Sequence, residues 1–259
     1  MWLPMDKKES SSWEHVSEWY NRIVGEKGHE QHRIVIPKIL GLIGLLNKKD
    51  KGPFSLLDVG CGEGVVTRYL LSNTSYLGID LSPRLLAFAQ KKKKRKEFSF
   101  LKADATETGL DLQQIFTHAL ALFSLQNMKD GQTVFQNVAK HLHVGGKFGC
   151  VINHPAFRIP RNSHWCVDTN QKRIFRRVDY YLSSLEVPIL ATPSQGKQSS
   201  ATWSYHVPLS TYFDWASQAR LRLINFEEWI NENGSRTDKK MARAAKEFPL
   251  FAALVFQRY

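Results

Sequence analysis

A chain of 259 residues with 42% hydrophobic content is long enough to bury a sizeable core, as one large α/β domain or two small ones. No window approaches the ~18 consecutive apolar residues of a membrane-crossing helix, and the opening MWLPMDKKESSSWEH lacks a basic-then-apolar leader, so a cytoplasmic protein without a membrane span is expected. The net charge of +12 raises nucleic acid as a partner, but the run KKKKRK at 91–96 holds six of those charges and reads as the solvated end of a helix.

In chain order, Trp13, Val16, Trp19 and Tyr20 recur at helical spacing, and after glycines at 25 and 28 a second apolar stretch runs to residue 46. Residues 1–50 are therefore expected to form a helical cover. The run SLLDV at 55–59 ends at glycines, as a buried parallel strand does. A helix at 65–71, a strand at 76–79 and a helix at 83–94 with proline in its first turn follow. Strands are expected at 98–102 and 117–123, an amphipathic helix at 131–143 and a fifth strand at 147–152. Alternation then lapses over 154–208, too long for an ordinary connection, which predicts an inserted lid. A helix at 210–220 and strands at 221–229 and 250–257 close the pattern, the last two pairing antiparallel at the sheet edge.

Strands alternating with helices predict an α/β fold. The expected form is a doubly wound, seven-stranded, mostly parallel sheet with helices on both faces and an antiparallel last strand. Its core is 51–153 with 209–259.

The stretch DVGCGEG is the most informative. Gly60, Gly62 and Gly64 lie between a strand and a helix, where a missing Cβ lets a ligand approach the backbone. A nicotinamide-binding turn would place glycine at 65, where this chain has Val65.

Asp58, one apolar residue and GxGxG together resemble the first motif of the Rossmann-like S-adenosylmethionine-dependent methyltransferases. The resemblance implies S-adenosyl-L-methionine as cofactor, its methionine part held by Asp58, Gly60, Gly62 and Gly64. Cys61 sits inside the loop and is counted with them, its side chain read as packing. Asp80 in LGIDLSP, with Leu81 after it, matches the acidic residue that accepts the ribose hydroxyls. Asp104 in KADAT and the backbone of Ala105 match the adenine contact, and Ser124 to Asn127 match the segment that flanks cofactor and substrate. The helical leader, NHPAFRIPR, RRVDYY and YHVPLS resemble a bacterial small-molecule subgroup distantly related to the ubiquinone and menaquinone C-methyltransferases, whose acceptor is not carried over.

Methyl transfer from a sulfonium needs alignment, exclusion of water and removal of any proton on the acceptor. Asn153, His154 and Arg158 end the fifth strand where the methyl would project, and are the expected catalytic residues, His154 as orienter or base. Arginines among aromatics suit an anionic, planar acceptor. Tyr20, His32, Asn127, Arg161, Tyr181 and His206 are the expected substrate contacts. His29 and His32 stand three apart with no further ligand evident, and Cys61, Cys150 and Cys166 form no CxxC pair, so no metal is expected. The expected function is methyl transfer to a small acidic or aromatic molecule. RNA or protein methylation, motivated by the charge, and non-catalytic cofactor binding are the alternatives.

Overall fold

Short apolar runs punctuated by glycine and charge become parallel strands. The computed structural model describes residues 13–22, 30–47, 49, 52–171, 173–190, 201–230 and 239–259. Strands β1 (Phe54–Val59), β2 (Thr74–Asp80), β3 (Phe98–Lys102), β4 (Phe116–Leu122) and β5 (Leu142–Asn153) pair in parallel. Further along, β6 (Ser163–Asp168) pairs with β7 (Arg173–Val178) and β8 (Leu185–Leu190) with β9 (Ala201–His206), two antiparallel hairpins inside the insertion. With β10 (Leu221–Trp229) and β11 (Phe251–Arg258) the main sheet has seven strands in the order β10-β11-β5-β4-β1-β2-β3.

Helices cover both faces. Helices α2 (Glu30–Leu42) and α3 (Pro83–Lys92) bury Ile36, Ile39, Leu40 and Leu86 on one face, against Leu56, Leu120 and Val255. On the other, α4 (Gly131–Lys140) and α5 (Leu209–Gln218) bury Val134, Phe135, Tyr212 and Ala216 against Leu57, Ala119 and Phe256. Successive strand residues thus serve opposite cores, which is why these strands read as unbroken apolar runs. A short α1 (Ser17–Tyr20), preceded by a turn of 3₁₀ helix, and α6 (Lys239–Ala245) complete the α-helices among the described residues. No helix among them is long and apolar enough to cross a membrane.

Two expectations are corrected. The helix at 65–71 is a single 3₁₀ turn, Val65–Arg68. Val65, Val66 and Thr67 are consecutive β-branched residues with poor helix propensity, and Thr67 donates its hydroxyl back to the Gly64 carbonyl at 2.6 Å. The last two strands pair antiparallel at the sheet edge as expected, with β10 outermost and β11 between it and β5, because Phe251 to Phe256 are apolar on both faces and need cover on both. The basic run is not simply solvated. Arg95 donates to the carbonyls of Leu71, Ser72 and Thr74, and Lys92 pairs with Glu63 of the glycine loop at 2.5 Å.

His118, on β4, lies buried between the sheet and α2 and donates Nε2–H to the Ile43 carbonyl at 3.0 Å. Burial, with help from nearby Lys147, pushes its pKa down to about 4 against the partial opposition of that carbonyl. Below pH 6.5 the unfolded chain takes up this proton first, so His118 favours folding above pH 6.5 and that advantage is lost as pH falls toward 4. In urea titrations, wild type should lose stability relative to His118→Gln by roughly 1 kcal/mol per pH unit across that window. A difference independent of pH would exonerate His118.

Candidate functional site

The parallel strands all end at one edge of the sheet, where ligands bind in open α/β folds. A cavity of about 840 Å³ lies there, a volume that suits a nucleotide-sized ligand with a small molecule beside it. Its floor is the loop after β1. Gly60 and Gly62 adopt φ of +70° and +54°, and a Cβ on Gly60 would fall 2.5 Å from Ser124 Cβ. The loop is tied down by neighbouring strand ends: Gly60 N–H donates to the Ile79 carbonyl at 2.8 Å, Gly62 N–H to Asp80 Oδ2 at 2.9 Å, and Ser124 Oγ–H to the Val59 carbonyl at 2.6 Å.

Asp58, Cys61 and Gly64 lie outside the cavity lining. Asp58 is buried beneath the loop and accepts the Tyr76 hydroxyl at 2.7 Å; burial lifts its carboxyl to about 7 although that hydrogen bond pulls it down. The Cys61 thiol is buried and pushed up by the same desolvation, and Gly64 packs against Phe100. These three shape the cradle from below.

Asp80, Leu81, Asp104, Ala105 and Ser124 do line the cavity. Asp80 accepts Gly62 N–H on Oδ2 and Ser82 N–H on Oδ1, each at 2.9 Å. A carboxylate offers about four acceptor positions, so the remainder suit a vicinal diol. Burial raises its pKa, opposed by those backbone donors. Asp104 uses Oδ1 for the N–H and hydroxyl of Thr106, at 2.8 and 2.7 Å, which leaves Oδ2 without a protein donor among the described residues.

The N-terminal segment reaches over the loop. Tyr20 lies against Gly62, Trp13 meets Tyr20 edge to face at 5.8 Å, and Trp13, Trp19, Tyr20 and His32 all line the cavity. Two anchors escaped the sequence. Glu14 accepts the Ser82 hydroxyl at 2.5 Å and pairs with Arg84 Nε at 3.1 Å, and Asn21 accepts from Lys92 at 2.5 Å. These links cross some seventy residues and have no local signature. His29 lies outside the described residues.

Around the acceptor side, Asn127, Asn153, Arg158 and Arg161 line the cavity, whereas His154, Tyr181 and His206 do not. The expected catalytic place of His154 is corrected. Its ring is buried and stacked on Phe157, Nε2–H donates to Glu228 at 2.7 Å, and Nδ1 accepts the N–H groups of Ala156 and Phe157 at 3.2 and 3.3 Å. Desolvation outweighs Glu228 and lowers its pKa. Both nitrogens are occupied, so His154 shapes the turn that presents Arg158, whose N–H its carbonyl accepts at 2.8 Å. If so, His154→Asn, which keeps an acceptor at the turn, should hold turnover within a few-fold of wild type, and His154→Ala should lose roughly tenfold. A proton-transfer role would leave the two variants equally impaired.

His206 donates to the Tyr181 carbonyl at 2.9 Å and Tyr181 accepts Leu209 N–H at 3.2 Å, joining the insertion to α5. Thr202 and Ser204, on the same face of β9 as His206, line the cavity in its place. Phe123 was overlooked because it reads as the end of a strand. It has φ +54°, a strained value for an aromatic residue, and stands between His32 at 5.8 Å and Phe251 at 5.0 Å. Gln126 also lines the cavity, with a buried Oε1 that has no hydrogen-bond partner among the described residues.

Residues 57–150 match the family described as a methyltransferase domain. No curated protein sequence matches the chain. Among solved structures, the S-adenosylmethionine-dependent methyltransferase from Mesorhizobium loti is similar with a TM-score of 0.67 at 23% identity, over 86% of this chain and 96% of that one. The CcbJ methyltransferase from Streptomyces caelestis gives 0.65 at 14%, over 97% and 99%. The glycopeptide N-methyltransferase MtfA, solved with S-adenosyl-L-homocysteine, gives 0.58 at 12%, over 99% and 100%. Residues 57–150 are thus similar to a methyltransferase domain, and the chain shares the Rossmann-like fold of the S-adenosylmethionine-dependent enzymes.

Proposed function

We propose that the enzyme, acting in the cytoplasm, moves a methyl group from S-adenosylmethionine to a small acidic or aromatic acceptor enclosed by the insertion. The observation that carries this is one cavity lined both by the glycine loop with Asp80 and Asp104 and by the arginines after β5. The residues fit the cofactor: the loop at Gly60 and Gly62 holds positive φ and leaves its backbone open, with no room for a Cβ at Gly60, Asp80 keeps acceptors for the ribose diol, and Asp104 keeps one for an exocyclic amine. When bound, S-adenosylmethionine supplies an electrophilic methyl on a sulfonium.

The chain's own residues do the rest. Ser124 and the loop backbone fix the cofactor's side, Trp13, Trp19 and Tyr20 exclude water, and Asn127, Asn153 and Gln126 offer polar atoms to orient an acceptor. The resemblance of NHPAFRIPR to small-molecule enzymes leans the same way.

The test is to incubate the protein with methyl-labelled cofactor and, separately, low-molecular-weight extract, RNA and protein. Label in the small-molecule arm is expected. Label in RNA or protein would favour the alternative suggested by the +12 charge, and tight cofactor binding without transfer in any arm would mark a non-catalytic binder.

A further inference from the structure

The cavity is electrically two-ended. Asp80 and Asp104 stand at the ends of β2 and β3, while Arg158, Arg161 and Arg176 belong to the insertion beyond β5, with β4 and β1 lying between in the sheet. Such a division suits a cationic ligand at one end and an anionic one at the other.

Arg158 is the sharpest feature of the basic end. Its guanidinium makes no hydrogen bond or ion pair among the described residues, and its contact is the face of Phe251, 5.2 Å from the ring centroid. Arg176 nearby is anchored: Nε donates to the Phe157 carbonyl at 2.9 Å, Nη2 to Ser163 Oγ at 3.0 Å, and the group lies over Trp165 at 5.3 Å. Burial first, and the charge of Arg176 second, make Arg158 harder to keep protonated. An incoming anion would relieve both costs. Beside Arg158, Phe251, Phe123 and His32 form a run of rings at 5.0 and 5.8 Å, a flat wall for the body of the same molecule.

We propose that the acceptor bears a carboxylate or phosphate that seats on Arg158 beside Arg176, and that this group is the anchor and not the atom methylated. The proposal rests on the methyl-transfer reading above. A guanidinium fork engages the oxyanion's oxygens and its positive charge draws density from their remaining lone pairs, which makes the anchored group a poor nucleophile. A different nucleophilic atom of the acceptor therefore forms the new bond to the methyl carbon. The carbon–sulfur bond breaks with its electron pair kept by sulfur, any proton on the nucleophile passes to solvent, and the acid leaves unchanged in the product.

The experiment uses the full chain, methyl-labelled S-adenosylmethionine and a low-molecular-weight metabolite extract, with labelled product separated by anion exchange. Label should be retained with the anions and should survive mild alkali. Loss of retention on phosphatase treatment identifies a phosphate anchor, and persistence identifies a carboxylate. Label among neutral or cationic products, or its release as methanol by alkali, overturns the proposal while leaving methyl transfer intact. Absence of label in every fraction, from protein that binds the cofactor, overturns the methyl-transfer reading and this one with it. For the retained acceptor, Arg158→Gln should raise KM at least ~10-fold with cofactor affinity unchanged, and Arg158→Lys should recover part of the loss. An unaltered KM in Arg158→Gln removes Arg158 as the anchor.

Discussion

Gly60→Val is expected to lower affinity for S-adenosylmethionine at least ~100-fold in calorimetry, with a stability cost of about 1–3 kcal/mol. The backbone at Gly60 has φ +70°, which a β-branched residue adopts only under strain, and the new Cβ would arrive 2.5 Å from Ser124 Cβ and 2.9 Å from Met128 Cε. Ser124 cannot retreat freely, because its hydroxyl is bonded to the Val59 carbonyl at 2.6 Å. The loop itself must move, and its movement breaks the bond from Gly62 N–H to Asp80. Asp80→Asn removes charge without bulk and should cost roughly tenfold in affinity. Unaltered affinity in both variants would sink the assignment of this cradle to the cofactor.

Phe256→Ala should destabilise the fold by about 3–5 kcal/mol, read from urea unfolding, a large share of the ~5–15 kcal/mol that holds a typical domain together. Phe256 is fully buried on an interior strand and meets Phe135 and Phe148 at 5.5 and 6.2 Å. Those rings come from α4 and β5, so one truncation opens a void where three elements meet. A loss below ~1 kcal/mol would mean the neighbouring rings collapse into the space.

The cofactor half of the molecule was legible because its chemistry is local. Asp58 to Gly64, Asp80 and Asp104 each sit where a strand ends, and strand ends announce themselves through glycine, charge and the close of an apolar run. The seven strands were found for the same reason, and the place of β11 inside β10 had a signal, apolar residues on both faces. The acceptor side was less legible because its contacts are distant. Nothing near His154 reveals Glu228, which occupies its Nε2, and nothing near Lys92 reveals Asn21 and Glu63. The two hairpins of the insertion were hidden because their strands are only partly buried, as the exposure along β6 and β7 shows. Phe123 shows the limit of periodicity: an aromatic residue ending an apolar run says nothing of a left-handed backbone.

The position of β11 also dictates an order of assembly. Asn153 of β5 must wait for Phe251, about a hundred residues downstream, before its open edge is paired. Until then β5 presents the apolar run Cys150, Val151 and Ile152 beside unpaired backbone groups, the configuration most prone to adding a strand from another molecule. Loop closure of that length is slow compared with local helix formation. Refolding yield should therefore fall as protein concentration rises, with the exposed edge of β5 as the site of misassembly.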